Sequence, residues 1–491
     1  MNPQPNPASD RIFAPNVYLC AYSLRDESIQ GENHPLWHDC DVILNQFTPE
    51  KLTPHLDFSQ TENSPYRQSL LPNASAISFT LTDSPDIAGF AQPLQIDNSY
   101  AVIFHIGYND EKGSTPEVAV NHLKIFKPQT PLLLPTHPKF LGQTLILTAY
   151  LTPKLKQQYR QSLEELVNSC YQSLINPDLP PISRQGELFG SPIFEYGKIS
   201  HPDESPHVLI WLLHDKQTDH LFKNCFYFIF DLLFYRSKII RLFHDSRSAS
   251  RKLNIYYREV EQFLPTLQSK LNAASPDAKD DAYLDDLKTL LKNLSRNSIQ
   301  YSPLLVNMKY FATKMETNLY NYQDRIDDIC ARLKIHKEEL SFLKHFGEET
   351  VPYFQRQIKA DLGRFEHGTE LINQAIASIR GIVEIDQAKR DRLRLEQEKQ
   401  RDLEQVKRDR NLETQIYIIG TGLAGAGITA SLSGYLTAES EKWKMTIQWR
   451  PDFNLPLHPF TQVLGISMMA GLIFALLAWL IRGIQSLCRK R

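Results

Sequence analysis

Cysteines never pair along this chain: Cys20, Cys40, Cys170, Cys225, Cys330 and Cys488 stand singly, with no C-x-x-C among them. Such scattering argues against a disulfide framework and fits a reducing compartment. Surplus charge of either sign is missing as well. Lys and Arg number 54 against 56 Asp and Glu, a net of -2, so nothing in the balance calls for a nucleic-acid partner and any basic site must be local. Catalytic signatures are absent too: no Walker phosphate loop, no G-x-S-x-G, no H-E-x-x-H, and no G-x-G-x-x-G behind a strand. The enzyme classes that carry these motifs lose their sequence marks. No catalytic residue is assigned, and the chain is not expected to be an enzyme. The start, Met1-Asn2-Pro3-Gln4-Pro5-Asn6, has neither an apolar core nor a basic flank. No signal peptide is visible, and the soluble part is expected in the cytoplasm.

What is present is a change of texture along 491 residues, too many for one core, which rarely grows past about 250–300 residues. Residues 1–235 carry many prolines and short apolar runs of strand length: Val17 to Tyr22, Ala76 to Leu81, Tyr100 to Ile106, Gln143 to Tyr150 and Val208 to Leu213. Ile77, Phe79 and Leu81 alternate as in a half-buried strand, Asp110-Glu111-Lys112-Gly113 reads as a turn, and Tyr159 to Leu174 as an amphipathic helix. The pattern predicts an α/β (or α+β) domain. Phe226 to Phe234 is strongly apolar, yet it is short, contains Asp231 and is followed at once by Arg236 and Lys238. A buried core helix or strand is expected there, not a membrane span.

Over 236–363 the period becomes helical. Leu284, Leu287, Leu291 and Leu294, then Leu305, Met308, Ala312, Met315, Leu319, Tyr322 and Ile326, repeat at three and four, which predicts antiparallel helices. No proline stands between Pro352 and Pro451. Leu371, Ile372, Ala375, Ile376, Ile379 and Val383 form an apolar stripe, and Asp386 to Glu413 is almost wholly charged, with spacings that support an exposed helix. Residues 364–413 are expected as a stalk helix that continues without a break into the next segment.

That segment, 414–438, is apolar and charge-free, as is 460–481 in its core. Each is long enough to cross a hydrocarbon layer of about 30 Å, which needs about 20 helical residues. Lys389, Arg390, Arg392 and Arg394 precede the first; Arg482, Arg489, Lys490 and Arg491 follow the second; the connecting 439–459 has Lys442, Lys444 and Arg450. By the positive-inside rule both termini face the cytoplasm, 439–459 is an outer loop and 482–491 a basic cytoplasmic tail. Trp443, Trp449 and Trp479 suit interfaces. The first span is rich in small residues, among them Gly420, Gly422, Gly425, Gly427 and Gly434, which permit close helix approach in lipid. Its hydroxyls Thr421, Thr429, Ser431 and Ser433 suit a hydrated path or simple packing. The second span, with Leu, Ile, Phe and Met throughout, reads as lipid-facing.

A cytoplasmic α/β domain, antiparallel helices, a long helix entering the first span, a short outer loop, a second span and a basic tail together resemble the CorA superfamily of metal-ion channels. The resemblance is one of architecture and covers roughly Arg236 to Arg491. It implies a homopentamer in an inner membrane whose first spans line a pore, with Thr421, Gly427, Thr429, Ser431, Ser433, Gly434 and Tyr435 as lining candidates and a divalent cation as permeant ion. Where the family has Gly-Met-Asn, this chain reads Gly434-Tyr435-Leu436, and Leu436 has no oxygen to offer a hydrated Mg²⁺. The altered filter and enlarged N-terminal domain look like those of the CorA-like membrane effectors of bacterial anti-phage systems, opened by their cytoplasmic domain, rather than a housekeeping magnesium transporter.

Two local clusters remain. Arg236, Lys238, Arg241, His244, Arg247 and Arg251 form a basic strip; four of them fall on one side of a helix, an array that binds phosphates through charge-assisted hydrogen bonds and suits a small anionic or nucleotide ligand. The competing reading is a solvated face, or one paired with Asp277, Asp280, Asp281, Asp285 and Asp286. His34, His38, Asp39, Cys40 and Asp41 gather metal-ligand types, but their spacing matches no standard zinc pattern, so no metal site is expected. His214-Asp215 and Asp219-His220 are weak signals of the same kind. The sequence therefore predicts an oligomeric, ligand-gated channel. Its alternatives are a membrane-anchored coiled-coil scaffold without a pore and an enzyme with an unrecognised site in the N-terminal domain.

Overall fold

The computed structural model describes residues 11–25, 31–59, 67–108, 117–152, 160–175, 178–199, 206–272, 281–397, 446–448 and 454–456. The chain divides into two compact units, one of Met1–Ser269 with Ser295–Ile372, the other of Lys270–Leu294 with Asn373–Arg491. The expected turn at 110–113, both apolar segments at 414–438 and 460–481, every pore-lining candidate from Thr421 to Tyr435 and the basic tail lie outside the described residues. Among the described residues no helix is long and apolar enough to cross a membrane.

The first unit has mixed α/β content, as the sequence predicts. Its strands are β1 (Arg11–Leu24), β2 (Gln68–Ser69), β3 (Ile77–Leu81), β4 (Ser84–Ile96), β5 (Ser99–Tyr108), β6 (Glu117–Ala119), β7 (Phe140–Leu151), β8 (Arg184–Leu188), β9 (Ser191–Tyr196) and β10 (His207–Leu213). They form one sheet in the order β2-β4-β5-β1-β7-β10-β9-β8, with β3 on β4 and β6 on β1. All its pairings are antiparallel except β7 with β10. That parallel pair needs a crossover, and α2 (Arg160–Leu174) lies within it.

Both faces of the sheet are covered, which explains why its central strands read as nearly unbroken apolar runs. Val17, Leu19 and Ala21 of β1, with Leu145, Leu147 and Ala149 of β7, join a core with Trp37, Ile43 and Leu44 of α1 (Pro35–Leu44) and Leu166, Val167 and Cys170 of α2. The intervening residues face the long helix α3 (Lys216–Asn272): Tyr18 meets Phe222 and Phe226, and Tyr22 meets Phe230 and Phe234 with ring centroids 5.0–5.5 Å apart. The Tyr22 hydroxyl donates to the Phe230 carbonyl at 2.7 Å. The Phe226 run is thus a helical stretch sealed against a sheet, the buried-core alternative of the sequence reading.

α3 is joined in this unit by the part of α4 (Asp281–Leu333) from Ser295 onward and the part of α6 (Val351–Gln397) up to Ile372, with the short α5 (Ser341–His345) and a π turn (Phe346–Thr350) leading into α6. The contact register gives their directions. Phe243 stacks on Phe354 at 3.9 Å, and Arg247 reaches Asp361, so α3 and α6 run the same way. Tyr301 donates to the Phe365 carbonyl and Tyr322 to that of Leu343, so α4 runs against α6. Gly368 marks the closest approach: a Cβ there would lie 2.6 Å from the Tyr301 hydroxyl and 2.7 Å from the Tyr257 ring. The border expected at 235/236 falls inside α3, which runs unbroken through it.

In the second unit Leu287 and Leu294 of α4 and Ala375, Ile379 and Val383 of α6, all members of the expected apolar periodicity, are buried, and Leu290 is buried beside Leu291, which is half-buried. β11 (Thr446–Gln448) and β12 (Asn454–Pro456) pair antiparallel with Ile447 opposite Leu455, within the segment expected as an outer loop.

Candidate functional site

The site begins with the parallel pairing of β7 and β10, which sets His207 opposite Thr144 and brings the loop before β7 beside the loop between β9 and β10. α3 runs across both. Gly142 and Gly197 make the close approaches possible. Both have φ in the left-handed range, +149° and +116°, and a Cβ on Gly197 would stand 2.9 Å from the Pro206 carbonyl oxygen. Between these loops and α3 lies a cavity of about 310 Å³, whose walls include His137, Lys198, His207, Arg236, Arg241, His244, Asp245 and Arg251.

The six basic candidates separate by their position on α3. Arg236, Arg241, His244 and Arg251 line the cavity; Lys238 and Arg247 do not. Lys238 donates to Asp97 Oδ2 at 2.6 Å and Asn98 Oδ1 at 3.1 Å, holding the β4–β5 turn. Arg247 donates to Asp361 Oδ2 at 2.7 Å, an oxygen that also accepts from Ser250. Arg241 pairs with Asp245 at 3.2 Å and donates to the Pro138 carbonyl at 3.3 Å; His244 Nε2 donates to the Ile199 carbonyl at 2.8 Å. Arg251 and Lys198 are exposed and have no hydrogen-bond or ion-pair partner among the described residues. The described partners of the strip are Glu195, Asp97, Asp245 and Asp361; of the acidic run expected as a counterweight, Asp285 pairs with Lys288 on its own helix, while Asp277, Asp280 and the Asp281 side chain lie outside the described residues.

Behind the cavity sits a buried polar knot. Glu195 accepts from Arg236 Nη2, His207 Nε2 and Arg184 Nε, each at 3.0 Å, and Arg236 is 8 % exposed. Burial alone would raise the Glu195 carboxyl. The His207 hydrogen bond and the Arg236 and Arg184 charges outweigh it and keep the group well below the usual carboxylate range. His207 is pushed down to about 4 by burial and by the neighbouring Arg236 charge. At neutral pH it is therefore uncharged, donating from Nε2 to Glu195 and accepting at Nδ1 from the Thr144 hydroxyl at 2.8 Å. The contact is a hydrogen bond, not an ion pair.

A second cavity of about 370 Å³ opens on the other side of this knot, lined by Arg184, Glu195, Leu209, Leu232, Leu233, Tyr322, Phe342 and Phe346 among others. Arg184 lies 3.8 Å over the Phe342 ring and Arg236 5.2 Å over that of Phe346. Phe346 opens the π turn, a form of helix that recurs at functional sites.

Sequence reasoning missed Lys198, His207, Glu195, Arg184 and Phe342. Each stands alone in its local sequence, and only the strand pairing unites them. The other clusters hold structure in place. His34 caps α1 through its Nδ1, accepting from the Leu36 N–H at 3.3 Å; Asp41 accepts from Leu52 and Thr53; Cys40 is buried and His38 exposed. Asp215 accepts from the Thr218 N–H at the start of α3, and Asp219 pairs with Lys223. Among the described residues no three His, Cys, Asp or Glu side chains converge as metal ligands. Comparison with known proteins finds no matching family model, no matching curated protein and no matching solved structure.

Proposed function

We propose that this chain is the subunit of a homo-oligomeric, CorA-like ion channel of the inner membrane, probed from the cytoplasm by its N-terminal domain, which takes up a small anionic ligand. The observation that carries the reading is α6, a helix of 47 residues that leads in sequence through a proline-free charged stretch to the Gly- and Ser-rich apolar run at 414–438. Long helices of this kind transmit a displacement along their axis into whatever they join. The cavity on α3 supplies the sensing end. Its cations outnumber its carboxylates, and two of them, Lys198 and Arg251, are left without partners among the described residues, where an oxyanion gains charge-assisted hydrogen bonds.

The α3–α6 contacts supply a route between the two: Phe243 on Phe354 and Arg247 on Asp361 join the helix that lines the cavity to the helix that leads to the membrane. Thr421, Gly427, Thr429, Ser431, Ser433, Gly434 and Tyr435 line the pore in this account, both termini face the cytoplasm, and defence-type gating is favoured over magnesium supply because Leu436 replaces the oxygen-bearing filter residue. The test is reconstitution of the full chain into liposomes together with its mass in detergent. The reading expects a closed ring of subunits and ion flux that responds to phosphate-bearing solutes. A monomer that passes no ion under any of them would refute it.

A further inference from the structure

The two cavities share Gly197, Lys198, Ile199, His207 and Arg236, so they are neighbours with a common wall rather than separate hollows. Their balance differs, the second being the more apolar. The first presents Lys198, Arg241 and Arg251 against a single carboxylate, Asp245, which Arg241 already occupies at 3.2 Å. The second presents the side chains of Leu209, Leu232, Leu233, Phe342 and Phe346 beside Arg184, Glu195 and His345, with the Arg184 guanidinium carbon 3.8 Å from the centre of the Phe342 ring. Each volume lies at the lower end of the range of about 300–1,000 Å³ typical of small-molecule pockets. Arg236 stands between them, held among the described residues by one hydrogen bond to Glu195.

We infer that the two cavities are the lobes of one site for a nucleoside phosphate, the phosphate held by Lys198, Arg241 and Arg251 and the base resting among Phe342, Phe346 and the plane of Arg184. This deepens, and rests on, the reading of the α3 cavity as the anion sensor. A bare oxyanion satisfies the first lobe and leaves the second an empty apolar hollow. A wholly apolar ligand fills the second and leaves the cations of the first unanswered. A flat heterocycle joined to a phosphate answers both, because aromatic rings and guanidinium planes stack on bases while guanidinium forks pair with phosphate oxygens. Arg236, whose fork borders both lobes, is placed to exchange part of its bond to Glu195 for the ligand.

The experiment is titration calorimetry on the full chain in detergent with inorganic phosphate, ribose 5-phosphate, dihexanoyl phosphatidic acid, the four 5′-nucleoside monophosphates and their nucleosides. At least one nucleotide should bind about tenfold or more tightly than ribose 5-phosphate, phosphatidic acid and its own nucleoside. Arg251→Ala and Lys198→Ala, both at exposed positions, should each weaken that nucleotide about tenfold with no change in melting temperature. Phe342→Leu should reduce the advantage over ribose 5-phosphate and leave ribose 5-phosphate itself unchanged. If no nucleotide exceeds ribose 5-phosphate, or phosphatidic acid binds tightest, the second lobe does not take a base and the inference fails. Ion flux is read separately: nucleotide binding without flux removes the channel and keeps this site, whereas flux without a nucleotide preference does the reverse.

Discussion

Two consecutive stretches of α3 solve different problems. Residues 222–234 lie flat on the sheet, with Phe222, Phe230 and Phe234 at most 1 % exposed and aromatic rings meeting at 5.0–5.5 Å. Residues 236–251 carry the cations, and there most of the charged side chains have a fixed partner, drawn from other elements (Glu195, Asp97, the Ile199 carbonyl, Asp361) or from the next turn of α3 (Asp245). The first stretch gains from removing apolar area from water and needs no particular geometry. The second gains only where each charge meets a placed acceptor, since an unpaired buried charge is costly. Arg251 departs from the second pattern, and that departure marks the site.

The contrast is broken most severely at Glu195. Replacing it by Ala leaves Arg236 and Arg184 without their carboxylate, and the expected loss is about 3–5 kcal/mol of unfolding free energy, read by denaturant titration. Phe230→Ala removes a ring at 0 % exposure and is expected to cost a similar amount, about 3–5 kcal/mol. Only the first of these should depend on pH. The Glu195 carboxyl is depressed in the fold, so its stabilisation is present above the ordinary carboxylate range and lost as pH falls through the folded value.

His207 adds to the same slope. Its pKa is pushed down to about 4, so the unfolded chain binds a proton from about pH 6.5 downward while the fold refuses it until about 4. Half-buried His105, also brought down to about 4 by desolvation, behaves alike. Melting temperature should therefore be level just above neutrality and fall steadily between about pH 6.5 and 4, and His207→Gln should flatten that fall. A curve as level at pH 5 as at pH 7.5 would contradict the assignment of a neutral His207.

Lys238→Ala sharpens the comparison at its mild end. Its partner Asp97 is 53 % exposed, so the pair is worth about 1 kcal/mol or less, and nucleotide binding should be untouched because Lys238 does not line the cavity. Arg251→Ala is expected to leave thermal stability unchanged while abolishing most of the response to phosphate-bearing ligands.

The sheet's middle was legible because both faces are buried: runs such as Val17 to Tyr22 and Val208 to Leu213 have nowhere to go but a covered strand. β4 was not, since Pro85 and Pro93 argue against a strand. Pro93 is tolerated where the pairing of β4 changes partner, between Ala91 opposite Ile77 and Leu94 opposite Ser69. β8 and β9 escaped notice for a related reason: their two-residue turn uses Phe189 and Gly190, both at left-handed φ of 51° and 71°, where Asn-Gly or Asp-Gly is the usual signal. The basic strip was readable as a helix face, but its division into cavity-lining and structural members was not. Arg236 and Lys238 differ by two positions, about 200° around a helix, and only the sheet decides that one meets Glu195 and the other Asp97.

Whether anion capture at α3 opens a membrane path is tested most directly by flux from liposomes bearing the full chain. Ion efflux should rise when nucleoside monophosphates are supplied on both sides of the bilayer and be lost in Arg251→Ala protein that incorporates and melts like the wild type. Efflux indifferent to the nucleotides, or equal in the two proteins, would contradict it.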